Sequence, residues 1–189
     1  MSHLTRAVEA MAAVARAITD DQLANKTPCT EYDVRALVNH LLFWGPSLAG
    51  AGHKESVPQP AAAEADVDLT ADDWRRHLLA LLDDITSSWA PPSAWKGETS
   101  MGTPQTLPAS VMGDMIVGEL AVHAWDLAVA TGQKLELPAD LLAHLHDTMF
   151  AAVEQGRGMG LYGPLVAVPA DAPTMDRILG LTGRDPAWA

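Results

Sequence analysis

The chain has 189 residues and a formal charge of −12 from 12 basic and 24 acidic side chains, the wrong sign for a protein that displaces counterions from nucleic acid or settles on an anionic membrane. Hydrophobic residues make up 48%, enough for a packed core, while a single cysteine, Cys29, excludes an internal disulfide, an all-cysteine zinc cluster and an iron–sulfur centre. No apolar run approaches the roughly 20 residues of a membrane span and no basic-then-apolar leader opens the chain, so the expected setting is the reduced cytoplasm.

Leu4, Val8, Met11, Ala15 and Ile18 recur at helical spacing and predict a first helix, closed by Asp20, Asp21 and then Lys26-Thr27-Pro28. Thr30 with Asp33 resembles a capping box opening a second helix. Its stripe is Val34, Leu37, Val38 and Leu41, with Trp44 on the Leu37 side. Gly45-Pro46 should weaken this helix and Gly50-Ala51-Gly52 should end it. Residues 50–69 have no periodicity and read as a long surface loop, able to serve as a lid. Thr70 and Asp73 form a second capping box before a third helix that buries Trp74, Leu78, Leu81, Ile85 and Trp89, until Pro91-Pro92 ends it. Residues 93–107 are loop, with at most a short strand over 95–99. The fourth helix runs from about 108 to 131, with Gly132 as its left-handed cap. A fifth, about 139–155, carries Leu141, Leu142, Leu145, Met149 and Val153. In the tail, Val166 and Val168 read as extended and 173–181 as a short helix. The expectation is an all-α protein of one domain, 1–189: a four-helix bundle over about 3–155 with long loops, and a short C-terminal appendage over about 156–189.

The chemistry concentrates on the fourth helix. Glu119 and His123 are four residues apart, on the face that also bears Met112, Met115 and Ile116, so both point toward the core with Cβ atoms about 5–6 Å apart. A buried carboxylate must be paired, protonated or bound to a cation. Two uses of this spacing stay open, a structural Glu–His pair and part of a metal site. Asp126 follows His123 by three and can reach it from the next turn. His40 lies on the flank of the second helix's stripe, where a lone histidine is more often a satisfied core-edge residue than a ligand. Joined to Glu119 and His123 it would make a His/His/Glu set from two facing helices, leaving the open position a catalytic zinc needs. Nickel or iron would accept the same donors. There is no HExxH, no pair of Glu-x-x-His motifs and no phosphate-cradling glycine loop. Cys29 reads as a packing residue, and His3, His53 and His77 as surface.

Three blocks go further: TPCTEYDVRALVNHL at 27–41, ELAVHAWDLAVATG at 119–132, and PADAP at 169–173 leading to LTGRDP at 181–186. In order and content they resemble the actinobacterial metal-binding branch of the DinB-like superfamily, which is related to the N-terminal domain of mycothiol-dependent maleylpyruvate isomerase. The likeness spans almost the whole chain and is thinnest over 50–69 and 93–107. It implies an up-and-down DinB-like four-helix bundle whose His40, Glu119 and His123 hold a divalent metal, usually zinc. It also implies that the open position receives mycothiol, making the partners a small-molecule thiol and an electrophilic substrate of a thiol-dependent transferase or isomerase. The isomerase's extra C-terminal domain is not expected here. With one cysteine in the chain, the attacking sulfur would come from the cofactor. Asp126 would then orient His123 through its second ring nitrogen, or else be a helix-surface charge. Trp44 and Trp125 would wall the cavity or fill the core. A non-catalytic metal- or ligand-binding module, and a metal-free helical oligomer such as a homodimer, are the other uses of the same residues.

Overall fold

A computed structural model describes residues 1–158, 160 and 162–188. Its helices are α1 (His3–Ala17), α2 (Val34–His53), α3 (Trp74–Ser88), α4 (Ala109–Ala130), α5 (Ala139–Gly158) and α6 (Thr174–Leu181). A two-residue hairpin, β1 (Glu98–Thr99) antiparallel to β2 (Leu107–Pro108), precedes α4.

The helix starts follow side-chain capping, with one shift from expectation. Asp33 is itself the N-cap of α2, accepting from the Ala36 amide at 2.8 Å, and Asp73 likewise caps α3. Thr30 and Thr70 therefore lie upstream of the helices they were expected to open. Aspartate is as good a cap as threonine, and here it stands next to the first apolar residue of each stripe. The α2 helix also runs through Pro46 to His53. Tertiary contact explains its persistence past the expected break. Leu48, Ala49 and Ala51 are buried, and a Cβ on Gly52 would come within 2.9 Å of the Ser88 backbone, so α2 and α3 touch main chain to main chain there. In α3, Trp74, Leu78, Leu82 and Ile85 are buried, while Leu81 is half-buried at the edge of that stripe.

The four helices α1 to α4 make a ring. The α1 helix packs on α3 and α4, and α2 packs on the same two, so α1 and α2 are diagonal. In a simple up-and-down bundle, consecutive helices would be neighbours instead. The connection after α1 makes the diagonal step by crossing the end of α4. Gln22 Nε2 donates to the Thr131 carbonyl at 3.1 Å and Asn25 Nδ2 to the Ala130 carbonyl at 2.8 Å, satisfying groups that a helix terminus leaves open. Gly132 follows with φ of 70°, the left-handed conformation that ends helices. Most of α4 is buried, with Met112, Ile116, Val117, Leu120, Ala121, Ala124, Leu127 and Ala128 all in the core and Val111 near its start exposed. The α5 helix, expected within the bundle, packs against the α1 and α4 side of the ring and carries α6 on it. Among the described residues no helix is long and apolar enough to cross a membrane.

Candidate functional site

Because α2 and α4 are ring neighbours, His40 faces Glu119 and His123. His40 Nε2 lies 2.9 Å from Glu119 Oε1, and His123 Nε2 lies 3.4 Å from the same oxygen. One donor atom from each of the three residues falls within 4.8 Å of the others. The His40 and His123 rings meet edge to face with centroids 5.3 Å apart. Glu119 is the most open of the three, its side chain 32% exposed against 9% for His123. The three residues singled out in the sequence therefore share one spot.

The far nitrogen of each imidazole is held by a further carboxylate. His123 Nδ1 lies 2.9 Å from Asp126 Oδ2. Asp126 is fully buried and is gripped by Arg184, whose Nε reaches Oδ1 at 3.1 Å and whose terminal nitrogen reaches Oδ2 at 2.8 Å. His40 Nδ1 lies 3.1 Å from both oxygens of Glu64. With Nδ1–H donated to a carboxylate, each ring could offer Nε2 to a metal ion once the proton it shares with Glu119 has left.

The charges follow from this packing. Burial opposes a charge on His123, but Glu119 and Asp126 outweigh it and raise the ring to about 9. Burial would likewise raise the Glu119 carboxyl, yet the charge and hydrogen bonds of His123 and His40 hold it well below the ordinary carboxylate range. The same contest lowers Asp126, where hydrogen bonds from His123 and Arg184 prevail. In the metal-free protein the cluster is thus an imidazolium between two carboxylates.

Cys29, His123 and Asp126 also bring donor atoms within 4.8 Å of one another. This second set is a poor one. Burial pushes the Cys29 thiol up to about 11, so it is not a thiolate at neutral pH, and Arg184 already occupies Asp126.

Two of these partners were not singled out in the sequence. Glu64 sits on a single 3-10 turn (Glu64–Asp66) in the segment between α2 and α3, and Arg184 follows α6. Trp44 and Trp125, the expected cavity walls, part company. Trp44 donates its indole N–H to Glu64 Oε1 at 2.6 Å and lines an open cleft of about 610 Å³ with Tyr32, Asn39, Phe43 and Glu64. Trp125 is buried in α4 outside that lining. His3, expected at the surface, is half-buried and stacks on His144 with centroids 4.2 Å apart.

Residues 4–128 match the family model of the mycothiol maleylpyruvate isomerase N-terminal domain. Two uncharacterized proteins of Mycobacterium tuberculosis, MT0763 and Rv0738, are each 27% identical over 186 residues, covering 97% of this chain and 96% of theirs. Two crystal structures of mycothiol-dependent maleylpyruvate isomerase, one of them a histidine-to-alanine mutant, share the fold. Their TM-scores are 0.62 and, for the mutant, 0.64, at 17% and 16% identity, over 87% of this chain and 73% of theirs.

Proposed function

The chain belongs to the mycothiol maleylpyruvate isomerase N-terminal domain family, and from that premise we propose that it binds a divalent metal which activates an external thiol of the mycothiol type, for transfer to, or isomerisation of, an electrophilic substrate. The observation that carries this reading is the convergence of His40 Nε2, His123 Nε2 and Glu119 Oε1, with each ring secured from behind by a carboxylate. Two imidazole nitrogens and one carboxylate oxygen suit zinc with a position left over for substrate, and nickel or iron would accept the same donors. Bound there, the metal would supply the Lewis acidity that keeps a thiol deprotonated at neutral pH.

The chain's own residues do the rest. Asp126 and Glu64 fix the two rings. Cys29 stays protonated, so the nucleophilic sulfur comes from outside the chain. The cleft walled by Tyr32, Phe43 and Trp44 shares Glu64 with the His40 side of the site, while His40, Glu119 and His123 lie outside its lining. The incoming thiolate forms an S–C bond at an electron-poor carbon while the displaced electron pair moves onto the activating group. Protonation of the resulting carbanion, or departure of a leaving group with that electron pair, keeps the bond and gives a transferase. Rotation about the new single bond, followed by return of the pair and loss of the thiolate, gives an isomerase.

Protein purified without an affinity tag should carry about one divalent ion per chain, and His123→Ala should lose it. The visible bands of a cobalt-substituted form should shift when thiol is added. A folded wild-type protein free of metal, or cobalt bands indifferent to thiol, would overturn the reading. Thiol binding without turnover across a panel of electrophiles would make the chain a binding module instead.

A further inference from the structure

We propose that Glu64 is a positioning residue of the metal site, so that the segment between α2 and α3 is a working part of that site as well as a cover beside it. The inference rests on the metal reading above and adds a residue that lies outside the triad. Glu64 stands at Nδ1 of His40, the nitrogen turned away from Glu119, so it acts through the ring and not as a ligand. Its own two oxygens are held in turn. The Trp44 indole donates to Oε1 at 2.6 Å and the Tyr32 hydroxyl donates to Oε2 at 3.3 Å.

The turn bearing Glu64 is stitched to α2 at the residue just before His40. Asn39 Nδ2 donates to the carbonyls of Glu64 and Val67, each at 3.2 Å, and Asn39 Oδ1 accepts from the Leu69 amide at 2.8 Å. Asp66 closes the turn by accepting from the Ala63 amide at 3.1 Å. A loose surface loop has no need of an amide side chain read on both its donor and acceptor ends. Here that side chain presents one carboxylate to one imidazole nitrogen, which sets the tautomer and the direction of the other nitrogen.

The test measures metal affinity by competition with a chromophoric chelator in wild type, Glu64→Ala, Glu64→Gln and Trp44→Phe, with circular dichroism to establish folding. Loss of a carboxylate behind a ligating histidine typically costs about 10–100-fold in affinity, and Glu64→Ala should fall in that range. Glu64→Gln keeps an acceptor oxygen in place and should recover part of the loss. Trp44→Phe removes one of the donors that fix Glu64 and should weaken binding by a smaller factor. Ring N–H signals of the histidines in the zinc-loaded protein give a readout that general destabilisation would not move. Metal at Nε2 fixes the proton on Nδ1, so the mark of Glu64 is the hydrogen bond itself: the His40 Nδ1–H should be downfield and slow to exchange in wild type and lose both features in Glu64→Ala. If wild type binds metal and Glu64→Ala binds it equally well, or binds it weakly with the His40 Nδ1–H signal unchanged, the positioning role is overturned while the metal reading stands. If wild type binds no metal, both are overturned.

Discussion

His123 is held between Glu119 and Asp126, and its elevation to about 9 makes two measurable demands. A metal can take Nε2 only after a proton leaves it, so affinity should climb about tenfold per pH unit through neutrality and level off near pH 9. Chelator competition across that range reads the slope. The metal-free protein should respond in the opposite sense. A ring whose folded value lies above the unfolded one, about 6.5, contributes its full stabilisation below that value and loses it as pH rises toward 9. The urea midpoint of metal-free protein should therefore decline between about pH 6.5 and 9, and His123→Gln should flatten that decline. Asp126→Asn makes a different demand, because it strands the Arg184 guanidinium in the core. Breaking a buried pair from one side costs about 3–5 kcal/mol, which urea unfolding would register. At this scale the sequence was readable only where residues are near in chain or share a helix face. Glu119 and His123 stand one turn apart, and His40 sits beside a clear apolar stripe. Glu64 is 24 residues from His40 and sits in a segment with no periodic pattern. Arg184 is 58 residues from Asp126, in a block that looked like a signature without chemistry.

Among the elements, α2 and α3 approach each other main chain to main chain at Gly52 and Ser88. A methyl group on Gly52 would meet the Ser88 hydroxyl at 2.8 Å and the Ser88 backbone at 2.9 Å, and although the hydroxyl can rotate away the backbone cannot. Gly52→Ala should cost about 1–3 kcal/mol, seen as a lower urea midpoint. The same closeness explains why Gly45-Pro46 did not end α2 as its local chemistry suggested. Burial against α3 offsets the missing amide, and tertiary packing overrides propensity. Apolar spacing placed the helices well, because each buries one stripe or, for α4, most of its surface. Helix starts were off by a few residues, since threonine and aspartate cap equally well and only geometry chooses between them. The ring order had no local signal at all. It follows from which faces meet, and from the Gln22 and Asn25 side chains that pin the crossing segment to the end of α4.

For the molecule as a whole, the C-terminal segment is joined to the candidate metal site through one guanidinium. Ile178 and Leu179 are buried on α6, and Arg184 just beyond it completes the chain of contacts from Asp126 to His123. Ending the chain after residue 173 would expose the α5 surface beneath α6 and leave Asp126 buried without its cation. Burying two such aliphatic side chains is worth about 1.5–3 kcal/mol each, a large share of the roughly 5–15 kcal/mol by which domains are stable. Calorimetry of the truncated protein should show a lower melting temperature, and metal titration of whatever remains folded should show weaker binding. Leucine deletion in the ring centre, Leu120→Ala, should cost about 2–5 kcal/mol but leave the His40 Nδ1–H signal unchanged in folded, zinc-loaded protein.

The diagonal placement of α1 and α2 also bears on how the chain is born. A polypeptide leaving the ribosome presents the apolar stripe of Leu4, Val8 and Met11 long before its main partner exists. About 110 residues separate the end of α1 from the end of α4, roughly 5–20 s of translation. Throughout that interval the amino-terminal helix is available to chaperones and to neighbouring nascent chains, and it finds its berth only when the fourth helix emerges.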